Sequence, residues 1–325
     1  MRPRPILFSL SLLLLSTITL PASPSPFLPP STHPPLPLPI DVIYEFPLGT
    51  WLENLAIRSN GKIDPSTTPA SATLILTLPN TLGISGIAEL YPDIFYFAVG
   101  NFTVPSASQL GTYSVWKLNF SVDRANDNKP VLTKITDIPG AGFLNGPSPS
   151  LRFGERLVWR LDTNTGIAKI VIADPLMAPI PSAANVGING IKLHGNMFYF
   201  TNTDQAILAR LPIHPDGTPA GKAEVLTTNK LQGDDFVLDK RGDAYVAWNP
   251  ANELAFVPRG GGETVVLTGE PDSLALAEPT ACQFGREEED LLYITTTGGL
   301  VQYEYRNWTI GGRLNRVHVG RATVF

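Results

Sequence analysis

Cysteine is nearly absent: Cys282 is the single one in 325 residues, so no internal disulfide can staple the chain. In its apolar stretch it reads as a buried small hydrophobe, with a reactive thiol as the other reading. Histidine is scarce as well, and His194, His214 and His318 are scattered, none at metal-ligand spacing from another. Basic charge is in deficit, with 24 Lys and Arg against 29 Asp and Glu and a net charge of −5. With no basic patch, nucleic acid is not an expected partner. No Gly-x-Ser-x-Gly elbow, P-loop, His-Glu-x-x-His or Cys-x-x-Cys occurs, and each of those would have announced a familiar chemistry. Gly260-Gly261-Gly262 has no helix signal after it and reads as a hairpin loop, not a phosphate cradle. Long amphipathic helical stretches are missing throughout.

Long hydrophobic runs are missing except at the start. Two arginines, the apolar run 6–15 and small residues around Ala22 have the layout of a secretory signal peptide over 1–22. The run is too short, and too closely followed by prolines, for a stable membrane anchor. Three sequons, at Asn101, Asn119 and Asn307, fit entry into the secretory pathway and are the expected glycosylation sites. The expected destination is the medium or the lumen of a vesicle or vacuole. Nine prolines between residues 21 and 39 make residues 23–40 a stiff, extended tether. The folded domain is expected over 41–325.

What the domain has in abundance is turns and short apolar strands. Residues 187–202, GINGIKLHGNMFYFTN, hold a Gly/Asn turn, a short strand, a second turn at Gly195-Asn196 and a stronger strand. The pattern returns at 233–249 and again at 278–297, and stepping backwards reaches Asn145 in AGFLNG. Asn145, Asn189, Asp234 and Pro279 follow one another at intervals of 44, 45 and 45 residues. A period of that length filled with short strands marks propeller blades. The expected fold is all-β, a six-bladed β-propeller. Residues 42–46 should complete the last blade beside 313–319, and a strand is expected at 73–78. The third blade breaks the pattern, because 147–155 is too short for an inner strand and a second strand. Either that blade is abbreviated or a segment is missing.

The first strand of each blade lines the channel, so residues at its start converge although they are far apart in sequence. The equivalent positions are Glu53, Gly86, Asn145, Asn189, Asp234 and Thr280. Glu53, Asn145, Asn189 and Asp234 offer hard oxygen ligands, a set suited to Ca²⁺ or another divalent ion. Asn and Asp are also common where a loop enters a strand, because they bond their own backbone there. Apolar neighbours Trp51, Phe143 and Phe236 are candidate substrate contacts, with inter-blade packing as the plainer reading. His194, after the fourth entrance, and Thr280 are further candidates for contact with substrate.

These residues resemble a known family, the six-bladed propellers of the SMP-30/gluconolactonase/luciferin-regenerating type. The resemblance rests on Glu53, Leu144-Asn145-Gly146, Ile188-Asn189-Gly190, and Asp234 before Phe236-Val237-Leu238-Asp239. It implies that Glu53, Asn145, Asn189 and Asp234 bind a divalent metal and that Asp234 serves lactone hydrolysis. Asp234-Asp235 departs from the usual Asp-Gly. A narrower resemblance is to a secreted fungal branch, carried by Trp51-Leu52-Glu53-Asn54, Arg58-Ser59-Asn60-Gly61, Ala141-Gly142-Phe143-Leu144-Asn145-Gly146 and Val158-Trp159-Arg160-Leu161-Asp162. Some of its members are similar to the hetero-Diels–Alderases of fungal tropolone–sesquiterpenoid pathways.

Three functions are therefore set against each other, all acting on small molecules. The first is a cofactor-free pericyclase joining an ortho-quinone methide to a humulene-type alkene, with Asp234, Asn189, Asn145 and Glu53 as the catalytic set. The second is a lactonase using Ca²⁺ or another divalent metal. The third is a non-catalytic binding propeller.

Overall fold

The computed structural model describes residues 8–9, 12–14, 35–58, 70–103, 107–121, 130–145, 152–154, 157–180, 186–227, 230–286, 290–301 and 309–320. For 8–9, 12–14, 103, 107 and 152–154 only the backbone is described. Among the described residues no α-helix forms, and two one-turn 3-10 segments, Pro175–Met177 and Asn249–Ala251, are the only helical elements.

The strands make a β-propeller, and its blades are lettered here in chain order. Blade A pairs Gly83–Tyr91, Ile94–Gly100, Ser114–Asn119 and Val131–Asp137 as a meander. Blade B has three strands, Arg152–Gly154, Leu157–Leu161 and Ala168–Ala173. Blade C comprises Ile188–His194, Met197–Asn202, Ile207–Pro212 and Glu224–Val225. Blade D comprises Phe236–Leu238, Ala244–Trp248, Glu253–Val257 and Val265–Gly269. Blade E takes Pro279–Phe284, Leu291–Thr296 and Gly311–His318 from the end of the chain and its outermost strand, Ile40–Leu48, from the beginning. The all-β propeller is thus as expected, and so is closure by the first domain strand. Four complete blades are present among the described residues; the expected count of six is not reached.

Two corrections concern the first repeat. Residues 73–78 form no ladder; Ile75, Leu76 and Leu78 instead lie against the core of blade A. Residues 50–57 contribute Thr50–Trp51 and Leu55–Ile57, paired in parallel with Phe8–Ser9 and Leu12–Leu14 of the expected leader. The packed chain also starts before residue 41. Leu38, within the expected tether, is buried in the cluster between blades D and E and donates its N–H to Leu267 O at 2.7 Å.

Strand alternation builds the cores between the blades. Successive side chains of a strand point to opposite faces, and in blade C Phe198 and Phe200 pack toward blade B while Tyr199 packs toward blade D. Blade D repeats this: Ala244 and Val246 face blade C, Tyr245 faces blade E. Blade E in turn uses Ala281, Tyr293 and Leu314 against Leu55 and Ile57. Central strands buried on both faces explain the near-continuous apolar runs IFYFAVG and MFYFTN.

Closure depends on one close approach. Gly311 faces Phe46 across the junction of the first and last strands, and a Cβ there would overlap the Phe46 carbonyl oxygen. Gly311→Ala is expected to lower stability by about 2 kcal/mol or more, the range for overpacking a close contact. The denaturant midpoint of the variant against the parent measures it.

Candidate functional site

Two sequence patterns bring the mouth together. Extended backbone places residues i and i+2 on the same side, so Trp51 and Glu53 form one aromatic–polar pair and Phe143 and Asn145 form another. Asn189 stands at the start of the inner strand of blade C, and Asp234 precedes that of blade D. Of the six strand-start positions, the four oxygen donors Glu53, Asn145, Asn189 and Asp234 come together.

The connection is a chain of hydrogen bonds between blades. Trp51 Nε1 donates to Glu53 Oε2 at 2.7 Å. Asn145 Nδ2 donates to Glu53 Oε1 at 3.3 Å and to Asn189 Oδ1 at 2.6 Å. Asn189 Nδ2 donates to Thr203 Oγ1 at 3.0 Å, and Asn189 also hydrogen-bonds Asp234. Asn249 Nδ2 donates to Asp234 Oδ2 at 3.3 Å. Glu53, Asn145 and Asn189 are each about 5% exposed or less. Leu144 between the pairs is held by Ser85, whose hydroxyl donates to its carbonyl.

Burial without a facing cation raises both carboxyls. Glu53 is pushed up to about 8 by burial first, with repulsion from Asp235 adding and the bonds from Trp51 and Asn145 opposing. Asp234 lies well above the ordinary carboxylate range, again by burial first, then by repulsion from Glu53 and Asp235. Both therefore favour the protonated form over a wider pH range than an ordinary carboxyl does.

Asp235, where the resemblance leads one to expect Gly, has a different task. Its carboxylate takes Lys192 Nζ at 2.5 Å, Asn54 Nδ2 at 3.0 Å and its own strand's Phe236 N–H at 2.7 Å. Lys192 also lies over the Phe236 ring, 5.3 Å from its centroid. Space for this comes from Gly190, where a Cβ would lie 2.7 Å from the Asp235 Cα and overlap its carboxylate. This part-buried ion pair joins blades C and D, and Asn54 ties the 50–57 segment to it. Sequence reading missed Lys192, Asn54 and Asp235. The only available signal was the unusual second Asp opposite a glycine one blade earlier.

Three expected substrate contacts are not at the mouth. Phe236 is fully buried between blades C and D, the face that alternation assigns it. Thr280 is fully buried too, its hydroxyl donating to Leu52 O at 2.7 Å, which fastens blade E to the 50–57 segment. His194 sits at the far end of its strand, paired with Met197 beside the Gly195 turn and near Gly242. Five residues of strand separate it from Asn189, about 17 Å at the usual rise. Trp51 and Phe143 remain half-buried at the mouth.

Other expectations have definite positions. Cys282 is buried, donates to Tyr245 O at 3.1 Å, and has its thiol pKa raised by burial, in keeping with the reading of an inert hydrophobe. Asn101 accepts from Leu82 N–H at 3.0 Å, and Asn119 accepts from Ser121 N–H at 2.8 Å. Asn307 and most of the short third-blade stretch, 147–155, lie outside the described residues. Among the described residues, no three His, Cys, Asp or Glu side chains form a metal-binding group. The mouth set of two carboxyls and two amides is still a hard-oxygen donor set of the kind divalent ions accept.

No family model matches the chain. A curated protein from Phoma sp named "Putative hetero-Diels-Alderase" is 25% identical over 320 residues, covering 82% of this chain and 88% of the relative. A second of that name, from Sarocladium schorii, is 27% identical over 321 residues, covering 80% and 79%. Among solved structures, a luciferin-regenerating enzyme matches with TM-score 0.48 and 14% identity, over 74% of this chain and 92% of the other. A calcium-binding regucalcin from Agrobacterium tumefaciens matches with TM-score 0.43 and 15% identity, over 74% and 78%.

The raised carboxyl has a consequence for stability. Between pH 4.5 and about 8 Glu53 is protonated when folded and ionised when unfolded, so the unfolded chain binds fewer protons. Stability is then expected to fall as pH rises through that window, by up to about 1.4 kcal/mol per pH unit. Asp234 acts in the same direction. Urea midpoints at pH 5, 6.5 and 8 should show a shallower decline in Glu53→Gln than in the parent. The chain is a β-propeller, and two curated proteins similar to it in sequence are named putative hetero-Diels-Alderases.

Proposed function

We propose that the protein is a pericyclase joining an ortho-quinone methide of the tropolone type to a humulene-type sesquiterpene by inverse-electron-demand 4+2 addition. The relatives' name carries the reading, at modest identity over most of both chains. The mouth is chemically suited to it. Such an addition forms one C–C and one C–O bond from π electrons, and no atom or proton leaves. It therefore requires positioning above all, which can supply many orders of magnitude when two reactants are held face to face.

Positioning and polarisation are both available. The heterodiene's carbonyl oxygen gains electron density as the new bonds form. The protonated Glu53 carboxyl is a donor for that oxygen, fixed in place by Trp51 and Asn145. A donor built into the fold costs no reorganisation during reaction. The aromatic neighbours Trp51 and Phe143 screen a quinone methide from water, which would otherwise add to it.

A second reading is favoured by the charged forms: Glu53 and Asp234 repel each other when ionised, and a divalent cation would relieve that repulsion. Glu53, Asn145, Asn189 and Asp234 would hold the ion, which would supply Lewis acidity toward a lactone carbonyl.

Purified protein mixed with humulene and a quinone methide generated in place decides between them. Faster formation of a single stereoisomer than in buffer is expected. Glu53→Ala should lower the rate by about a hundredfold, the usual cost of losing one such donor, with Glu53→Gln retaining part of it. A racemic adduct at the buffer rate overturns the pericyclase. Lactone hydrolysis that needs a divalent ion, and is lost in Glu53→Ala, would put the second reading in its place.

A further inference from the structure

The mouth has two unlike sides. Toward blades C and D it is amide and carboxyl: Asn189, Thr203, Asp234 and Asn249. Toward blades A and B it is aromatic. Trp51 meets Phe102 edge to face, with centroids 6.1 Å apart at 76°. Phe102 meets Phe143 at 5.3 Å and 83°, and Phe143 meets Tyr113 at 6.1 Å and 77°. Edge-to-face series of this kind are the favoured arrangement of aromatic rings and hold one another in place.

The series is anchored at one end and open at the other. Tyr113 is fully buried, and its hydroxyl meets Ser108 Oγ at 2.7 Å. Ser108 Oγ in turn donates to the Gly142 carbonyl. Gly100 has no side chain where the Tyr113 ring lies, and a Cβ there would overlap that ring. Trp51, Phe102 and Phe143, by contrast, are half-buried, unlike Phe95, Phe198, Phe200 and Phe236, which are fully covered by packing between blades. Trp51 is fixed at its polar edge by Glu53. Phe102 is the middle ring, touching both others, and it comes from the short ladder of Phe102–Thr103 with Ala107–Ser108, between the second and third strands of blade A.

We propose that Trp51, Phe102 and Phe143 form the seat for an apolar, unsaturated hydrocarbon, with Phe102 setting its fit, while the oxygenated reactant lies over the amide–carboxyl side. This rests on the two-reactant reading above and divides that site between the two. Partly exposed rings at alternating angles present both faces and edges to an alkene. Such a surface offers hydrocarbon contact without a hydrogen bond to satisfy, so it discriminates by shape. The adjoining amides discriminate against the same molecule, because an alkene would leave them unpaired. The hydrocarbon's double bond is thereby brought beside Glu53, where the heterodiene carbonyl is held.

The test separates binding from reaction. Humulene alone and tropolone alone are titrated into the full-length protein and into Phe102→Ala and Phe102→Leu, with circular dichroism confirming the fold. Phe102→Ala is expected to weaken humulene about tenfold, as for a central aromatic contact, with tropolone binding unchanged and Phe102→Leu within about threefold of the parent. Equal humulene affinity in parent and Phe102→Ala overturns the seat, and so does loss of both ligands together. Phe102-dependent humulene binding with no adduct from the quinone methide would leave the seat standing and sink the cycloaddition. Adduct formation unaffected by Phe102→Ala would do the reverse.

Discussion

Carboxyl groups brought together away from water must be neutralised, and this condition governs the mouth of the propeller. Glu53, Asp234 and Asp235 repel one another there. Asp235 is neutralised by Lys192, with Asn54 and a backbone N–H taking up its remaining lone pairs. Glu53 and Asp234 have no cation in hydrogen-bond contact among the described residues, and burial holds both above the ordinary carboxylate range. The ion pair at Asp235 and the two raised carboxyls beside it set the electrostatics of the site.

That arrangement needs the ring to be closed. The polar chain runs from the 50–57 segment through Asn145 to blades C and D, so a blade displaced by an ångström or two would break it. Closure comes from the outermost strand of blade E, Ile40–Leu48, which carries the start of the chain across to its end. Thr280 and Thr295, fully buried, then fasten blade E to Leu52, next to Glu53. Much of what positions Glu53 thus comes from buried residues outside the hydrogen-bonded chain.

A neutral acid held against an aromatic wall is a setting for polarising a carbonyl without transferring a proton outright. A donor of that kind is strengthened by the same low polarity that raised its pKa. Phe102 and Phe143 extend that low polarity outward from Glu53 on one side only. The asymmetry gives a small molecule an orientation as well as a place.

The sequence by itself determined the repeat. Periods of 44 and 45 residues, short alternating strands and Asn or Asp at three of the strand starts are local, and together with Glu53 they marked Asn145, Asn189 and Asp234 as residues that converge. The i, i+2 pairs Trp51/Glu53 and Phe143/Asn145 were legible for the same reason, since an extended chain fixes which neighbours share a face. Only the tertiary structure decided which other residues join them. Phe236 and Thr280 lie next to marker positions in sequence but turn into packing between blades, and His194 is carried to the far end by the length of its strand. Lys192 and Phe102 meet the site through partners on other blades, 43 residues apart for Lys192 and Asp235. No local pattern encodes such meetings, because they depend on how each sheet twists and stacks against the next.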